Sequence, residues 1–568
     1  MAGDPLDMGW NTTVTLSTVI EQWRLGMGAR RSTPSSARER YFKKRLRRMG
    51  ILLGLALVMA VAVCGSLAYP VLAPDSARSV SLADTFTPTP EPTQTIEATA
   101  TAMPVPTETP AIETRDTKPL PTQGQIVPPS EDTHILYYTI AGDSLPEVSL
   151  RFGVDMNTIT SPELIERKSL LPPGQLLIIP NNLSETSSTH KLLPDSEITF
   201  SPSTIDFDIH GFVDAAGGYL STYEEYLAST GWTSGADIIG RVALEYSVNP
   251  RLLLAFLEFK SGWVYGFPDP NDEIALTYPM GHINGMKKNL YLQSAWFASR
   301  VMDGYYGWRE GRQLVINFQE GEVLRLAPQL NAGSVGLMNA FSFLYPFQDW
   351  VNHLYGEEGF LPHFERMFDN PWVRAQSVEP LIPVDAKQPE MILPFEVGYQ
   401  WAFTGGPHAA WSAADVWAAL DFAPASSRTG CFESNAWVVA AMAGRVVRTG
   451  AGVVVIDQDD DGYEQTGWTL LYLHVAEKDR VSLGTWVEIG DRIGHPSCEG
   501  GRSTGTHIHL ARRYNGEWVP ADGPLPFTLS GWEARAGIQA YKGWLIQGTE
   551  IIYANTASTF ETQLTRDE

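Results

Sequence analysis

An uncharged apolar run near the N-terminus most constrains how this chain can fold. Residues 51–73 read ILLGLALVMAVAVCGSLAYPVLA and contain no charged side chain. A helix of this length can cross the hydrocarbon core of a bilayer. Lys and Arg residues cluster just before the run, at 43–48, which favours a cytoplasmic N-terminus. We therefore predict a basic cytoplasmic region at 1–49 and a single transmembrane helix at 50–74, with the later domains outside the cytoplasm.

The segment that follows has a composition typical of disordered chain. Residues 75–132 are rich in Thr, Pro and Glu, as in TFTPTPEPTQTIEATATAMPVPTETP. Such a segment cannot bury enough apolar surface to fold, so it should be a disordered spacer. The whole chain has 568 residues and a net charge of -24. This length requires several domains, and the charge argues against nucleic-acid binding by the bulk of the chain.

Two histidines near the C-terminus lie one residue apart in a β-favouring context. In Gly505-Thr-His507-Ile-His509-Leu510, a strand would place both imidazoles on one face and Ile508 and Leu510 on the other. One imidazole could then bind a metal while the other stays free for proton transfer, as zinc hydrolysis requires. Five of the chain's 11 histidines fall within 408–509, which strengthens this interpretation.

The surrounding motifs resemble the lysostaphin-type zinc metallopeptidases of bacterial cell walls, and especially their beta-lytic branch. The motifs are Thr404-Gly-Gly-Pro-His408, Ala419-Leu-Asp421, Leu471-Tyr-Leu-His474 and the pair at 507–509. The resemblance implies that His408, Asp421 and His509 bind Zn²⁺ and that His474 and His507 are the two non-ligand catalytic histidines. It leaves open which of these two acts as general base. His495 matches no ligand position of the family.

The chemistry of this ligand set is also that of a catalytic zinc site. Two neutral imidazoles and one carboxylate leave a fourth position open, whereas structural zinc sites are closed. Zinc lowers the pKa of a bound water to about 7, and a free histidine can accept the proton. Cys431 and Cys498 both fall in this region, and an oxidising compartment would allow them to form a disulfide.

A second resemblance covers residues 133–181, which are similar to a LysM module, a small β-α-α-β domain. It rests on Tyr138-Thr-Ile-Ala-Gly-Asp-Ser-Leu145, Arg151-Phe-Gly-Val154 and Leu171-Pro-Pro-Gly-Gln-Leu-Leu-Ile-Ile-Pro180. The resemblance implies binding to N-acetylglucosamine-containing glycan. The sequence departs from the family at Thr160-Ser-Pro162, where an asparagine usually closes the second helix.

The pattern from 196 to 388 is mainly helical. Ile239, Val242 and Tyr246 fall near helical spacing, and Asn249-Pro250 should open a further helix. This domain faintly resembles the lysozyme-like lytic transglycosylases. Those enzymes use a glutamate directly before a serine, whereas here Lys260 precedes Ser261 and the nearest acid is Glu258. We therefore expect a non-catalytic helical domain.

From 389 to 556 the pattern is that of strands, as in Gly452-Val-Val-Val-Ile456, with glycine turns between them. This range should be the zinc metallopeptidase domain, closed by a β-rich C-terminal extension, and 557–568 should be a disordered tail. Asp457-Gln-Asp-Asp-Asp-Gly462 begins like an EF-hand loop, but its twelfth position is Trp468 instead of Glu. We expect a solvated turn there.

Together these features predict a multidomain, membrane-anchored endopeptidase of the cell wall. The LysM-like module and the helical domain would hold a β-rich zinc domain of antiparallel sheet on peptidoglycan, where it cuts peptide stems or bridges. One alternative is a non-catalytic peptidoglycan-binding regulator of other wall hydrolases, which the complete ligand set disfavours. Another is a glycan-cleaving enzyme centred on the helical domain, which the Lys260 departure disfavours.

Overall fold

The computed structural model describes residues 126–130, 132–411, 416–426 and 428–567. The predicted cytoplasmic region at 1–49, the predicted transmembrane helix at 50–74 and most of the predicted spacer lie outside these residues. Within the described ranges, no helix combines the length and the apolar character needed to cross a bilayer.

Helices dominate the middle of the described chain. In chain order the α-helices are α1 (Leu145–Phe152), α2 (Ile209–Ala216), α3 (Tyr219–Thr222), α4 (Gly235–Tyr246), α5 (Pro250–Ser261), α6 (Glu273–Thr277), α7 (Asn289–Arg309), α8 (Ala332–Ser342), α9 (Phe347–Tyr355), α10 (Phe360–Phe368) and α11 (Pro371–Ala375).

Strands flank this helical part on both sides. Before and within it lie β1 (Ile126–Val127), β2 (His134–Tyr138), β3 (Leu176–Pro180), β4 (Thr186–Ser187), β5 (Glu224–Leu227), β6 (Gly231–Ser234), β7 (Val315–Asn317) and β8 (Val323–Arg325). After it lie β9 (Gln400–His408), β10 (Ala419–Pro424), β11 (Val438–Val439), β12 (Gly444–Gly450), β13 (Val453–Asp457), β14 (Trp468–Leu473), β15 (Trp486–Val487), β16 (Arg492–Gly494), β17 (Ile508–Tyr514), β18 (Glu517–Trp518), β19 (Thr528–Leu529), β20 (Trp532–Ala536), β21 (Gly543–Gln547), β22 (Glu550–Tyr553) and β23 (Gln563–Thr565).

The first module is a two-stranded antiparallel sheet of β2 and β3 covered by α1. It has a core of its own, in which Tyr137, Val148, Phe152 and Leu177 are buried. In place of a second α-helix, a 3₁₀ turn forms at Met156–Thr158. The module thus has the strand–helix–strand frame expected at 133–181, with a shortened second helix.

The predicted spacer ends earlier than expected. Ile126 and Val127 form β1, which pairs antiparallel with Ser187 and Thr186 of β4. The prediction of disorder up to residue 132 is therefore wrong at this end. A β-branched pair can add to a strand edge through backbone hydrogen bonds alone, which composition does not reveal.

The helical domain begins its long helices where the sequence predicts. The Ser234 side chain caps α4 by accepting from Asp237 N, and Asn249 caps α5 ahead of Pro250. Proline suits the first helical position because the N–H it lacks would have no partner there. Helix α4 packs on the long α7, and Phe256 of α5 stacks on Phe297 of α7.

A nine-stranded antiparallel sheet forms the C-terminal domain. Its strands follow the order β15-β12-β13-β14-β17-β10-β9-β23, and β18 pairs with β17. Alternate residues face opposite sides, so Val454, Tyr472, Ile508 and Leu510 enter a core within this domain. The orientation predicted for Ile508 and Leu510 is therefore confirmed.

The other face of the same sheet packs against the helical domain. Val455, Leu471 and Ala511 share one apolar core with helical residues such as Leu252 and Phe256. His509 lies two residues before Ala511 and therefore on this face. The part of this face around Ala511 is covered and the side chain of His509 is buried, whereas the side chain of His507 is 17% exposed.

The C-terminal end is ordered through residue 567. Strands β19 to β22 form a four-stranded sheet after the domain's main sheet. The tail predicted to be disordered at 557–568 instead contains β23, in which Leu564 pairs with Trp401 of β9 and is only 5% exposed. That prediction is wrong because a single buried leucine and an available sheet edge are enough to order a polar segment.

Candidate metal centre

Three neighbouring strands bring the predicted ligands together. His408 ends β9, Asp421 lies in β10 and His509 lies in β17. Asp421 is directly opposite His509 in the β10–β17 register, and β9 pairs with β10 on its other edge. Sheet pairing thus assembles groups that are about a hundred residues apart in the chain.

The donor atoms of these three residues converge on one point. His408 Nε2 and His509 Nδ1 are 3.1 Å apart. Asp421 Oδ1 lies 3.3 Å from the first nitrogen and 3.2 Å from the second. Oδ1 is shielded from water yet receives no hydrogen bond, so a buried charged atom lacks a partner. Two imidazoles and a carboxylate are donors that zinc accepts, and this set fits the ion.

Backbone carbonyls determine which nitrogens of these ligands carry protons. His408 Nδ1 lies 2.8 Å from Gly406 O, and His509 Nε2 lies 2.9 Å from Ala410 O. A carbonyl can only accept, so each of these nitrogens is the protonated one in a neutral ring. The inner nitrogens, His408 Nε2 and His509 Nδ1, therefore keep their lone pairs for a metal.

The electrostatics of the centre favour an ionised carboxylate. Burial disfavours the charge on Asp421, but the neighbouring His408 outweighs it and holds the pKa of the carboxyl well below its usual value. Burial lowers the pKa of His509. Burial opposes the protonated form of His408, yet the Asp421 carboxylate overcomes this and raises the pKa of that imidazole. An anion held against two imidazoles is the charge pattern that a divalent cation requires.

The two predicted non-ligand histidines stand beside this centre. Their rings lie 4.5 Å apart between centroids, and His507 Nε2 is 3.7 Å from Asp421 Oδ1. His474 Nδ1 donates to Glu499 O and His507 Nδ1 donates to Gly505 O, each at 2.7 Å. By the same reasoning, both Nε2 atoms are free to accept a proton. Burial and the adjacent His507 lower the pKa of His474 to about 4, so His474 is neutral at pH 7.

His474 also carries backbone strain. Its φ is 70°, in the left-handed region that residues other than glycine rarely adopt. Such a conformation costs on the order of 1–3 kcal/mol and is common at functional sites. It turns the chain sharply at the end of β14.

Sequence reasoning missed two residues of the centre. The ring of Tyr541 stacks on His408 at 4.1 Å, and Tyr541 O accepts from Gly406 N. Gly405 leaves room for the Asp421 carboxylate, since a Cβ there would lie 2.4 Å from Oδ2. The Gly-Gly pair before His408 was a local sequence signal for the close approach of Gly405 to Asp421. No local pattern could have indicated Tyr541, which lies far along the chain.

Other residues considered in the sequence lie apart from the centre. His495 Nδ1 contacts Ala436 O, and the His495 ring packs on Trp437. These contacts agree with a structural role for His495 outside the metal centre. A disulfide joins Cys431 and Cys498, with 5.9 Å between their Cα atoms, next to the Glu499 carbonyl that holds His474.

Glu258, the acid nearest to the position of the catalytic glutamate in lysozyme-like enzymes, is held by backbone hydrogen bonds. Glu258 Oε2 accepts from Val264 N at 2.8 Å and from Tyr265 N at 3.0 Å. Lys260 Nζ donates to the Tyr345 hydroxyl at 2.8 Å. These contacts hold the turn after α5, and they agree with a structural role for this carboxylate.

Comparison with known proteins agrees with the class that this site defines, a zinc-dependent metallopeptidase domain. Residues 431–521 match the model of Peptidase family M23, and residues 191–382 match that of the LasA N-terminal domain. Residues 431–521 are therefore similar to the M23 metallopeptidases, and the cofactor of the site is Zn²⁺. His474, His507 and His509 lie inside the matched range, whereas His408 and Asp421 precede it.

Individual relatives include Protease LasA of Pseudomonas aeruginosa strain PAO1, which is 28% identical over 301 residues. That match spans 49% of this chain and 66% of LasA, slightly less than two thirds. Among solved structures, the deep-sea M23 metalloprotease pseudoalterin is 23% identical, with a TM-score of 0.25, over 29% of this chain and 96% of its own. The catalytic domain of the antimicrobial peptidase lysostaphin from Staphylococcus simulans is 21% identical, with a TM-score of 0.16, over 22% of this chain and 89% of its own.

Proposed function

We propose that this protein is a zinc-dependent endopeptidase that cleaves peptide stems or cross-bridges of peptidoglycan. The observation that carries the proposal is the convergence of His408, Asp421 and His509 on an unpartnered Asp421 Oδ1, with two further imidazoles beside it. Peptidoglycan is proposed as the substrate because the motifs resemble cell-wall enzymes and because a LysM-like module lies in the same chain.

In this proposal His408 Nε2, His509 Nδ1 and Asp421 Oδ1 are the ligand atoms. Zinc held there supplies a Lewis acid that activates water for attack on a peptide carbonyl. His474 and His507 each present a bare Nε2, so either can take the proton of the attacking water. The resulting imidazolium then gives the proton to the departing amine nitrogen. The remaining histidine, when protonated at Nε2, can donate to the oxyanion that forms on the attacked carbonyl, and no covalent bond to the chain forms.

The surroundings of these two histidines differ. Protonation of His474 at Nε2 is opposed by burial, which keeps the ring neutral and able to accept a proton at pH 7. His507 is the more exposed of the two and lies nearer to Asp421.

The test is digestion of purified peptidoglycan by the zinc-loaded full chain in detergent, with fragments identified by mass spectrometry. New amino groups within peptide stems or bridges are expected. The His509→Ala variant serves as the control and should release no fragments.

The same digestion separates the two alternatives. New glycan ends without peptide cleavage would indicate a glycan-cleaving enzyme. Binding to the insoluble wall material without any cleavage would indicate a regulator. Either result would overturn the endopeptidase proposal.

We also propose that the chain is anchored by one membrane helix at 50–74, with its later domains outside the cytoplasm. Support comes from the uncharged run and from the basic cluster before it. Protease added to intact cells should remove the C-terminal domains and leave a short N-terminal stub. Protection of residues 389–556 in intact cells would overturn this topology.

A further inference from the structure

The acidic loop between β13 and β14 takes no part in the zinc centre. Asp457, Asp459 and Asp461 offer carboxylate oxygens that all lie within 4.8 Å of one another. They occupy the first, third and fifth positions of a D-x-D-x-D-G sequence, and Gly462 at the sixth position has a φ of 86°. Three carboxylates this close repel one another unless a cation or a proton lies between them.

Asp457, the first of these residues, is not solvated as the sequence analysis predicts for this turn. Asp457 is fully buried, at 0% exposure. Its Oδ2 accepts from Gly462 N at 3.1 Å, but its Oδ1 is shielded from water and has no hydrogen-bond partner. A buried carboxyl oxygen without a partner is costly, and no hydrogen-bond donor of the described chain reaches this atom.

Nearby arginines are committed to other carboxylates. Arg445 binds Asp460 in an exposed ion pair. Arg448 binds both carboxylate oxygens of Glu464 through two of its donors. The orphaned oxygen of Asp457 therefore indicates a ligand that the chain itself does not provide.

We propose that Asp457, Asp459 and Asp461 bind a Ca²⁺ ion. Oxygen-only ligands select a hard cation, and a flexible loop suits calcium better than magnesium, which demands a regular octahedron. The Tyr463 carbonyl stands at the seventh position, which supplies a backbone ligand in loops of this type. The twelfth position is Trp468, so water replaces the usual bidentate glutamate and the affinity is modest. A dissociation constant of about 10⁻⁴–10⁻³ M, as in extracellular modules, is expected.

The proposed calcium site lies at one end of the β13–β14 hairpin, and the zinc centre lies at the other. Asp457 pairs with Thr469 at one end of the β13–β14 hairpin, and Val453 pairs with Leu473 at the other. His474 follows directly after Leu473. Calcium would therefore fix the hairpin that carries a histidine of the zinc centre while remaining several residues away from that centre. We expect it to stabilise the fold without entering the chemistry.

The experiment is a thermal melt of the zinc-loaded full chain in detergent, with CaCl₂ added up to about 10 mM, roughly 10 to 100 times the expected dissociation constant. The melting temperature of the wild type should rise by about 2–4 °C. Asp459→Asn and Asp461→Asn should abolish the rise. Both residues are exposed, so the variants should fold.

Asp460→Asn is the matched control, because it makes the same change of charge within the same loop but outside the cluster. It should keep the calcium-dependent rise. The proposal is wrong if the wild type shows no rise, if Asp459→Asn keeps it, or if Asp460→Asn loses it. An equal rise with MgCl₂ would also overturn it, since that would reflect general screening of charge. None of these readouts depends on peptidase activity, so the result is independent of the proposed function.

Discussion

Four backbone carbonyls fix the protonation pattern of the site's histidines. Those of Gly406, Ala410, Glu499 and Gly505 each accept from one ring nitrogen of a different histidine. The opposite nitrogen of every ring is then bare, whether it is to bind metal or to take a proton. The role of each histidine therefore depends on the position of its bare nitrogen. The bare nitrogens of His408 and His509 both lie close to Asp421 Oδ1, whereas that of His474 does not.

Replacing a ligand should have a different effect from replacing a neighbouring histidine. His509→Ala and Asp421→Ala should lose both zinc and activity, because two remaining ligands rarely hold the ion. His474→Ala and His507→Ala should keep zinc and lower turnover by roughly 10²–10⁴-fold, the usual contribution of a positioned acid or base. Metal analysis and single-substrate kinetics on the same preparations measure both. Zinc retention by an active His509→Ala variant would refute the ligand assignment.

Gly405 offers a second test at this scale. In Gly405→Ala the new Cβ would lie 2.4 Å from Asp421 Oδ2, so the carboxylate must move away from the two imidazoles. We expect weaker zinc binding and at least a tenfold loss of activity, because small displacements of catalytic groups are costly. Gly285→Ala, where no atom lies within 4 Å of the added Cβ, is the control. Equal zinc affinity of the two variants would contradict the expectation.

The types of residue and their order along the chain are enough to indicate five members of the site. His408, Asp421, His474, His507 and His509 are brought together, although their individual roles stay predictions. Contacts made through the backbone or by stacking, such as that of Tyr541, carry no local sequence signal. They depend on how the C-terminal extension folds back over β9.

At the scale of elements, sequence periodicity predicted the features that lie within a single strand or helix, such as its type, its cap and the face on which each side chain lies. The β-rich pattern after residue 389, the Asn249 cap and the alternation around His509 all appear in the structure. Edge pairing was not predictable, because β1 and β23 are short segments that are ordered mainly by a partner distant in sequence. Composition alone therefore assigned both segments to disordered chain.

Glu464 links strands of the main sheet and yields a pH-dependent prediction. It is 6% exposed, binds Arg448 of β12 and lies 3.4 Å from Arg513 of β17. Burial disfavours its charge, but the two arginines prevail and lower its pKa. Glu464→Gln should therefore reduce the free energy of unfolding at pH 7 by about 3 kcal/mol, by leaving buried guanidinium charge uncompensated.

The sign of the pH effect follows from the lowered pKa. The stabilisation is present above the ordinary glutamate pKa of 4.5 and is lost as pH falls through the lowered value in the folded state. Urea unfolding of wild type and Glu464→Gln should thus converge as pH drops from about 5 toward 3. Glu433→Gln, which breaks only an exposed pair with Lys478, should change stability little at any pH. A Glu464→Gln deficit that is constant with pH would argue against the ion pairs.

For the molecule as a whole, the notable contact is the shared core between the helical domain and the histidine-bearing face of the sheet. The sequence carried a signal for it, since Gly452-Val-Val-Val-Ile456 is a continuous apolar run, typical of a strand that is buried on both faces. It did not reveal which helices cover the strand, because α7 and α8 are apolar on several sides. Separate expression of residues 389–556 would expose this face.

Arg309, at the end of α7 in the helical domain, contacts both the first module and the C-terminal domain. Its Nη1 donates to Ala141 O in the first module at 2.7 Å. It also pairs with Asp195 at 3.1 Å and with Glu517 of β18 at 3.0 Å. All three side chains are largely buried. One guanidinium thus compensates two carboxylates where the modules meet.

Replacing Arg309 should uncouple these parts. Arg309→Ala leaves two buried carboxylates without a counter-charge, so we expect a loss of about 3–5 kcal/mol at pH 8. Burial already raises the pKa of Glu517 and Arg309 opposes that shift, so the variant's Glu517 should have a still higher pKa. The folded variant then holds a proton that the unfolded chain releases above about 4.5, and its stability falls as pH rises.

Calorimetry at pH 5 and pH 8 measures this effect of Arg309→Ala. The deficit should be larger at pH 8. We expect one transition for the wild type and separate transitions for the variant, because the modules lose the side chain that joins them. Arg312→Ala, which removes a half-exposed arginine paired with Glu310, should cost less than about 1 kcal/mol and keep one transition. Equal effects of the two variants, or a deficit larger at pH 5, would mean that Arg309 does not hold the modules together.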